Sequence, residues 1–153
     1  IRPAPRFGTI ELRVFDGITN AGELASLVAL THCLVEFLSR KLDAGDPLPS
    51  ISPWFLSENK WRAARYGMDA IIIVDKTGRE ELVTDAVDRL LDELADVSHD
   101  LGCAQELQGV RDILTLGAAY QRQRQVFARG GFNAVVSHLV EEFRQDRPLP
   151  PTG

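Results

Sequence analysis

The chain has 153 residues, 44% hydrophobic and 25% charged, the proportions of one globular domain able to close a core. Its formal charge of −5 excludes a general nucleic-acid surface, which needs a basic stripe to displace counterions from phosphates. His32, His99 and His138 lie too far apart for zinc-ligand spacing, and Cys33 and Cys103 sit in helical patterns and read as packing residues.

In chain order, the first element is Thr9-Ile10-Glu11-Leu12-Arg13-Val14-Phe15-Asp16. It alternates with the period of a strand, so Thr9, Glu11 and Arg13 share one face while Ile10, Leu12 and Val14 share the other. A carboxylate and a guanidinium two residues apart suit a metal-nucleotide, one taking a hard cation and the other clamping phosphate. The same spacing also fits an exposed strand with a weak ion pair. A lone strand of this kind needs neighbours for its backbone groups, and the chain opens at Ile1 without a methionine. Either an upstream region or a second copy, as in a homodimer, is expected to supply further strands.

Asn20-Ala21-Gly22-Glu23 has capping-box spacing and opens a long helix through Leu24, Leu27, Val28, Leu34, Val35 and Leu38. That helix is expected to be largely buried, its apolar run too short and too polar to cross a bilayer. Residues 43–53, with Pro47, Pro49 and Pro53, read as a loop. Ser52-Pro53 then caps a second helix that runs to Tyr66 and stops at Gly67. Residues 70–74 and 80–83, joined through Asp75-Lys76-Thr77-Gly78, form a hairpin. Helices are predicted over 85–101, 104–116, 119–129 and 132–145, punctuated by Gly102, Gly117 and Gly130-Gly131. Residues 148–153 are expected to be a disordered tail. The chain is thus α+β and mostly helical, a strand and a hairpin against about six helices, divided into a motif-bearing segment 1–83 and a helical segment 84–147.

Asn59, Arg62 and Arg65 recur at three-residue spacing on the second helix, so they share one side and could hold a carboxylate or phosphate, with Trp54 and Trp61 packed behind. A solvated basic face fits the pattern equally. Most of the polar and basic run 120–125 is expected to face water, as are Asp85, Asp88, Asp92, Glu93 and Asp96. Neither a Gly-rich phosphate loop nor a Ser-His-Asp set is present.

Arg2-Pro3-x-Pro5-x-Phe7-Gly8-Thr9-Ile10-Glu11-Leu12-Arg13-Val14-x-Asp16 resembles the R-P-x-P-x-F-G-T-x-E-x-R-V-x-D motif of the bacterial carboxylate-amine ligases, glutamate-cysteine ligase family 2. Asn59-Lys60-Trp61 with Ala63, Arg65, Tyr66 and Gly67 is similar to a second family pattern, and Gln121, Arg124 and Gly130-Gly131 to a third. The resemblance runs through nearly the whole chain but covers only the C-terminal part of such a ligase. It implies a glutamine-synthetase-like antiparallel sheet with helices packed behind it, ATP and Mg2+ as cofactors, and glutamate and an amine such as cysteine as substrates, in the cytoplasm. By the same resemblance Glu11 is expected to be a magnesium ligand, Arg13, at the transferring phosphoryl group, and Arg65 to be catalytic, and Asn59 and Arg124 to bind substrate; the shared side of the second helix adds Arg62 to the substrate-binding set. Asp16-Gly17-Ile18 replaces the usual D-T-P and Lys60 the usual arginine, departures that bear on substrate specificity more than on phosphate chemistry. With half the site upstream, this chain alone is expected to be inactive or feeble. Two other classes remain open: a non-catalytic helical interaction module that completes a sheet across an interface, and a small-molecule carboxylate sensor built on the Asn59–Arg65 helix, with no nucleic acid or membrane partner in either.

Overall fold

A computed structural model describes residues 2–48 and 50–151; Pro49 of the expected loop and Thr152 and Gly153 of the expected tail lie outside the described residues, as does Ile1. The Arg-Pro-x-Pro opening forms a short strand, β1 (Arg2–Ala4), then a 3-10 turn at Pro5–Phe7, and returns antiparallel as β2 (Thr9–Glu11), with Arg2 opposite Glu11. The expected strand to Asp16 is therefore cut short. Among the described residues pairing runs as far as Glu11, and residues 12–18 continue as irregular backbone. Thr9, Ile10 and Glu11 are all exposed, so the apolar face of this ribbon is uncovered.

Helix α1 (Ala21–Ala44) starts where the cap pattern put it, the Asn20 side chain accepting from the Glu23 amide. It runs past the expected start of the proline loop and ends at Gly45, whose φ of 75° is left-handed. Its buried residues are Glu23, Ser26, Ala29 and Cys33, at spacings of three and four, which define one narrow side. Small residues there let α5 (Ala104–Leu116) approach closely: a Cβ on Gly109 would collide with Ser26. Ala29 and Cys33 pack with Leu91, Leu94, Val97, Leu107 and Val110 into the main core. The opposite side of α1 is open, so the expectation of a largely buried helix is corrected. With 24 residues and a window of mean hydropathy 1.4, α1 is also long and apolar enough, by length and composition, to cross a membrane, contrary to the reading of its apolar run as too short.

Helix α2 (Pro53–Tyr66) has Ser52 accepting from the Trp54 amide and proline at its first position, as its sequence dictates. A 3-10 turn at Gly67–Asp69 leads into β3 (Ile71–Ile73), which pairs with β4 (Glu80–Leu82) in the expected hairpin. The predicted helix over 85–101 is bent at Leu94 into α3 (Val83–Glu93) and α4 (Ala95–Asp100). Segment α6 (Ala119–Gln145) is two helices meeting at Gly131, which has φ 69° and ψ −163°, so the Gly-Gly break is present. The expected disorder of the tail stops short of its first residues. The Leu149 amide donates to Glu142 at 3.2 Å, and Arg129 donates to the Pro151 carbonyl.

Candidate functional site

Gly67 shapes the neighbourhood where residues from all three motifs meet. Its φ of 57° turns the chain out of α2, and a Cβ there would collide with the Tyr120 phenol. The Tyr120 hydroxyl accepts from the Met68 amide at 3.0 Å, which ties the start of α6 to the end of α2. Around this joint lies an open cavity of about 670 Å³, lined by Arg65 and Tyr66 from α2, Asp69, Tyr120 and Arg124 from α6, and Asp16 from the irregular segment. The Arg65 guanidinium lies 5.7 Å from the Tyr66 ring centroid and that of Arg124 lies 5.3 Å from the Tyr120 ring. Among the described residues neither guanidinium is in an ion pair, so both are free for an anion. A smaller apolar cavity of about 300 Å³ shares the wall of Phe15, Asp16, Gly67 and Tyr120 and ends at Glu23.

The three residues predicted to share one side of α2 divide into two roles. Asn59 donates to the Ile73 carbonyl at 2.7 Å and accepts from the Ile73 amide at 2.8 Å, so its amide extends the backbone pairing of β3. Arg62 pairs with Glu58 at 2.8 Å and Glu80 at 2.7 Å and donates to the Ile71 carbonyl. Those pairs hold its guanidinium above its ordinary value, the Glu58 hydrogen bond most of all. Only Arg65 reaches the cavity. Trp54 and Trp61 do not pack behind these residues: both are exposed, Trp61 meeting only the edge of Tyr66.

Glu11 and Arg13 do face each other, Arg13 Nε lying 2.8 Å from Glu11 Oε1, although Arg13 is beyond the end of β2. Glu11 borders a cleft with Arg2 and Arg6, while Arg65 and Arg124 line another. Glu11 lies on the exposed strand β2. Its carboxylate is paired with Arg13, and among the described residues no three His, Cys, Asp or Glu side chains come together.

The polar run 120–125 does not all face water. Arg122 is fully buried, bidentate to Glu23 at 2.8 and 3.0 Å and bonded to Glu142 at 2.6 Å. Burial alone would push the guanidinium down, but the two carboxylates outweigh it and hold it above its ordinary value. Burial likewise pushes the Glu142 carboxyl up, and Arg122, the Thr19 hydroxyl and the Leu149 amide together bring it below 4.5. Glu23, read as one half of a capping box, gives its carboxylate instead to Arg122 and to the Asn20 side chain. The signal for Arg122 is its position four residues before buried Val126, which puts it on the inward side of its helix. The sequence pattern does not single out Tyr120, Asp16 or Asp69 as cavity residues; Tyr120 is one residue after the helix start and Asp16 lies at the end of the expected strand.

The match to glutamate-cysteine ligase family 2 covers residues 1–138. The chain belongs to this family. It is 56% identical over 146 residues to a Clavibacter sepedonicus protein provisionally named glutamate–cysteine ligase 2, 94% of this chain and 38% of that protein. It is 58% identical over 144 residues to a Rhodococcus jostii strain RHA1 protein provisionally named glutamate–cysteine ligase 2-2, again 38% of its length. A Mycobacterium strain KMS relative of similar provisional name is 57% identical over 144 residues, 93% of this chain and 38% of the relative. The chain thus spans about two fifths of these relatives and corresponds to their C-terminal portion. No solved structure matches it.

Proposed function

We propose that this chain is the part of an ATP-dependent carboxylate–amine ligase, glutamate–cysteine type, that holds the anionic end of a substrate. The observation that carries the reading is the pair of unpaired guanidiniums, Arg65 and Arg124, on one cavity in a member of this family. A guanidinium offers a planar fork matched to carboxylate or phosphate oxygens, and two of them on adjoining helices neutralise a dianion. In the reaction, a substrate carboxylate oxygen attacks the γ-phosphorus of ATP and ADP leaves. An amine nitrogen then attacks the acyl phosphate, forms the amide, loses a proton and expels phosphate. Arg65 and Arg124 fix the anion and offset charge as it grows on the transferring group. Tyr66 and Tyr120 support them from behind, and the adjoining apolar cavity has room for a short side chain. Arg13 belongs to the phosphoryl end. Magnesium, when bound, neutralises phosphate oxygens, and Glu11 would be one ligand among others drawn from outside this chain. An ATP-consuming synthesis of this kind belongs in the cytoplasm.

The test is phosphate release from magnesium-ATP with glutamate and cysteine, comparing this chain with a polypeptide of the relatives' full length. Amine-dependent release is expected from the longer protein alone and is lost in Glu11→Gln. Arg65→Ala and Arg124→Ala each raise the KM for the carboxylate substrate about 10- to 100-fold, the loss of one charge-assisted contact. No release with any of several amines overturns the reading; glutamate binding that needs neither metal nor ATP makes the chain a carboxylate sensor instead.

A further inference from the structure

The cavity that Arg65 and Arg124 share is bordered by two carboxylates as well: Asp16, from the irregular segment after Arg13, and Asp69, at the end of the 3-10 turn after α2. Among the described residues neither carboxylate is in an ion pair, although both border the same cavity as two unpaired guanidiniums. Elsewhere this chain pairs its arginines readily. Arg62, Arg79, Arg89 and Arg111 each meet two carboxylates within 3.1 Å. In the cavity the opposite charges are held apart, the guanidiniums against the Tyr66 and Tyr120 rings and Asp69 by the turn that Gly67 opens. A site that keeps cations and anions separate fits a ligand carrying both signs. A simple anion such as phosphate meets two carboxylates there as well as two guanidiniums, a repulsion that counts against it. The ligand chemistry that matches is the head group of an α-amino acid, with ammonium and carboxylate on one carbon.

The two carboxylates are not equivalent. Asp16 borders both the charged cavity and the apolar one, on their shared wall with Phe15, Gly67 and Tyr120. Apolar surroundings on one side displace water that would screen a bound ammonium, which strengthens the pair. Asp69 instead borders a polar cavity with Thr84, Gln121 and Gln125, where water competes. Asp16 also follows Arg13 by three residues, a chain reach of at most about 11 Å. We propose that Asp16 holds the α-ammonium of the amino acid whose α-carboxylate lies on Arg65 and Arg124. The identity of that amino acid as glutamate rests on the ligase reading. With its head group held at this end, its side-chain carboxylate is the one left free for the phosphoryl end, so one contact selects both the zwitterion and the carboxylate to be activated. A dicarboxylate without the amine gains nothing from Asp16 and has no preferred direction of entry.

The experiment is titration calorimetry on a polypeptide of the relatives' full length that carries this chain as its C-terminal portion, with magnesium and a non-hydrolysable ATP analogue present. The probes are glutamate, glutarate, which lacks the amine, and γ-aminobutyrate, which lacks the α-carboxylate. Asp16→Asn is expected to weaken glutamate binding about 10- to 100-fold, the loss of one charge-assisted contact, and to leave glutarate binding unchanged. Unchanged glutarate binding also shows that the variant has folded. Arg65→Ala weakens glutamate and leaves γ-aminobutyrate unchanged, and Asp69→Asn alters none of the three. Equal weakening of glutamate and glutarate in Asp16→Asn, or weakening of neither, overturns the proposal. So does an unsubstituted protein that binds glutamate no more tightly than glutarate, or does not bind it at all. Binding is read without turnover, so the two readings fail separately. Glutamate held through Asp16 in a protein that releases no phosphate removes the ligase reading alone, and phosphate release with an unaltered glutamate KM in Asp16→Asn removes this proposal alone.

Discussion

A buried arginine is tolerated only when every charge around it is answered, and Arg122 shows how narrow that condition is. Removing it leaves the Glu23 and Glu142 carboxylates facing each other without a cation, a change that costs about 3–5 kcal/mol in comparable buried pairs. Arg122→Met is expected to lower stability by that amount in urea titration, whereas the triple replacement Arg122→Met, Glu23→Gln, Glu142→Gln recovers a large part of it. The pH dependence follows from the same contacts. Glu142 titrates below 4.5 when folded, so its contribution is complete above that value and disappears as pH falls through the lowered folded one. The urea midpoint is expected to hold from neutrality to about pH 5 and then drop, with a shallower drop in Glu142→Gln. Cys33 makes a separate prediction. Burial first, and then its contact with Cys103 at 3.6 Å, push its thiol up to about 11, so at pH 8 a disulfide reagent reacts with Cys103 and reaches Cys33 only on unfolding.

At the scale of elements, the α2–hairpin unit depends on a few side chains that stand in for backbone. Asn59→Ala removes both bonds to Ile73 and is expected to destabilise the chain by about 1–3 kcal/mol, visible as a lowered Tm. Gly67→Ala strains a left-handed residue and drives into Tyr120, costing roughly 1–3 kcal/mol. In the β3–β4 turn, the Thr77 hydroxyl and then the Thr77 and Arg79 amides hold the Asp75 carboxyl at about 2. An NMR titration of Asp75 should show that midpoint, and Thr77→Val should move it toward the ordinary 3.8. Most of these elements were legible from local chemistry, since Ser52-Pro53, Gly67, Gly78 and Gly130-Gly131 act on the backbone where they stand. The role of Asn59 was not. Spacing put it beside Arg62 and Arg65, but whether an amide meets substrate or a strand depends on where β3 lies, fourteen residues on.

For the whole molecule, periodicity marks α1 as apolar without saying which side its own chain covers. The inward side carries Ser26, Ala29 and Cys33, flanked by Leu30, Leu34 and Phe37, while Leu24, Val28, Val35, Leu38 and Leu42 face out. A long apolar helix therefore reads as core from its residues, and the position of α5 decides which side stays open. The cavity followed the same rule. The R-Y-G and Gln-x-x-Arg patterns contain Arg65 and Arg124, yet the cavity they share exists because Tyr120 bridges to Met68 across fifty-two residues.

Glu23, Arg122 and Glu142 also set an order of events during synthesis. Ninety-nine residues separate Glu23 from Arg122, and Glu142 follows after twenty more. At ordinary translation speeds the arginine waits about 1–4 s for its second carboxylate. Until then one corner of the nascent chain cannot dehydrate fully, and the Glu23 end of α1 closes only after Glu142 has been made.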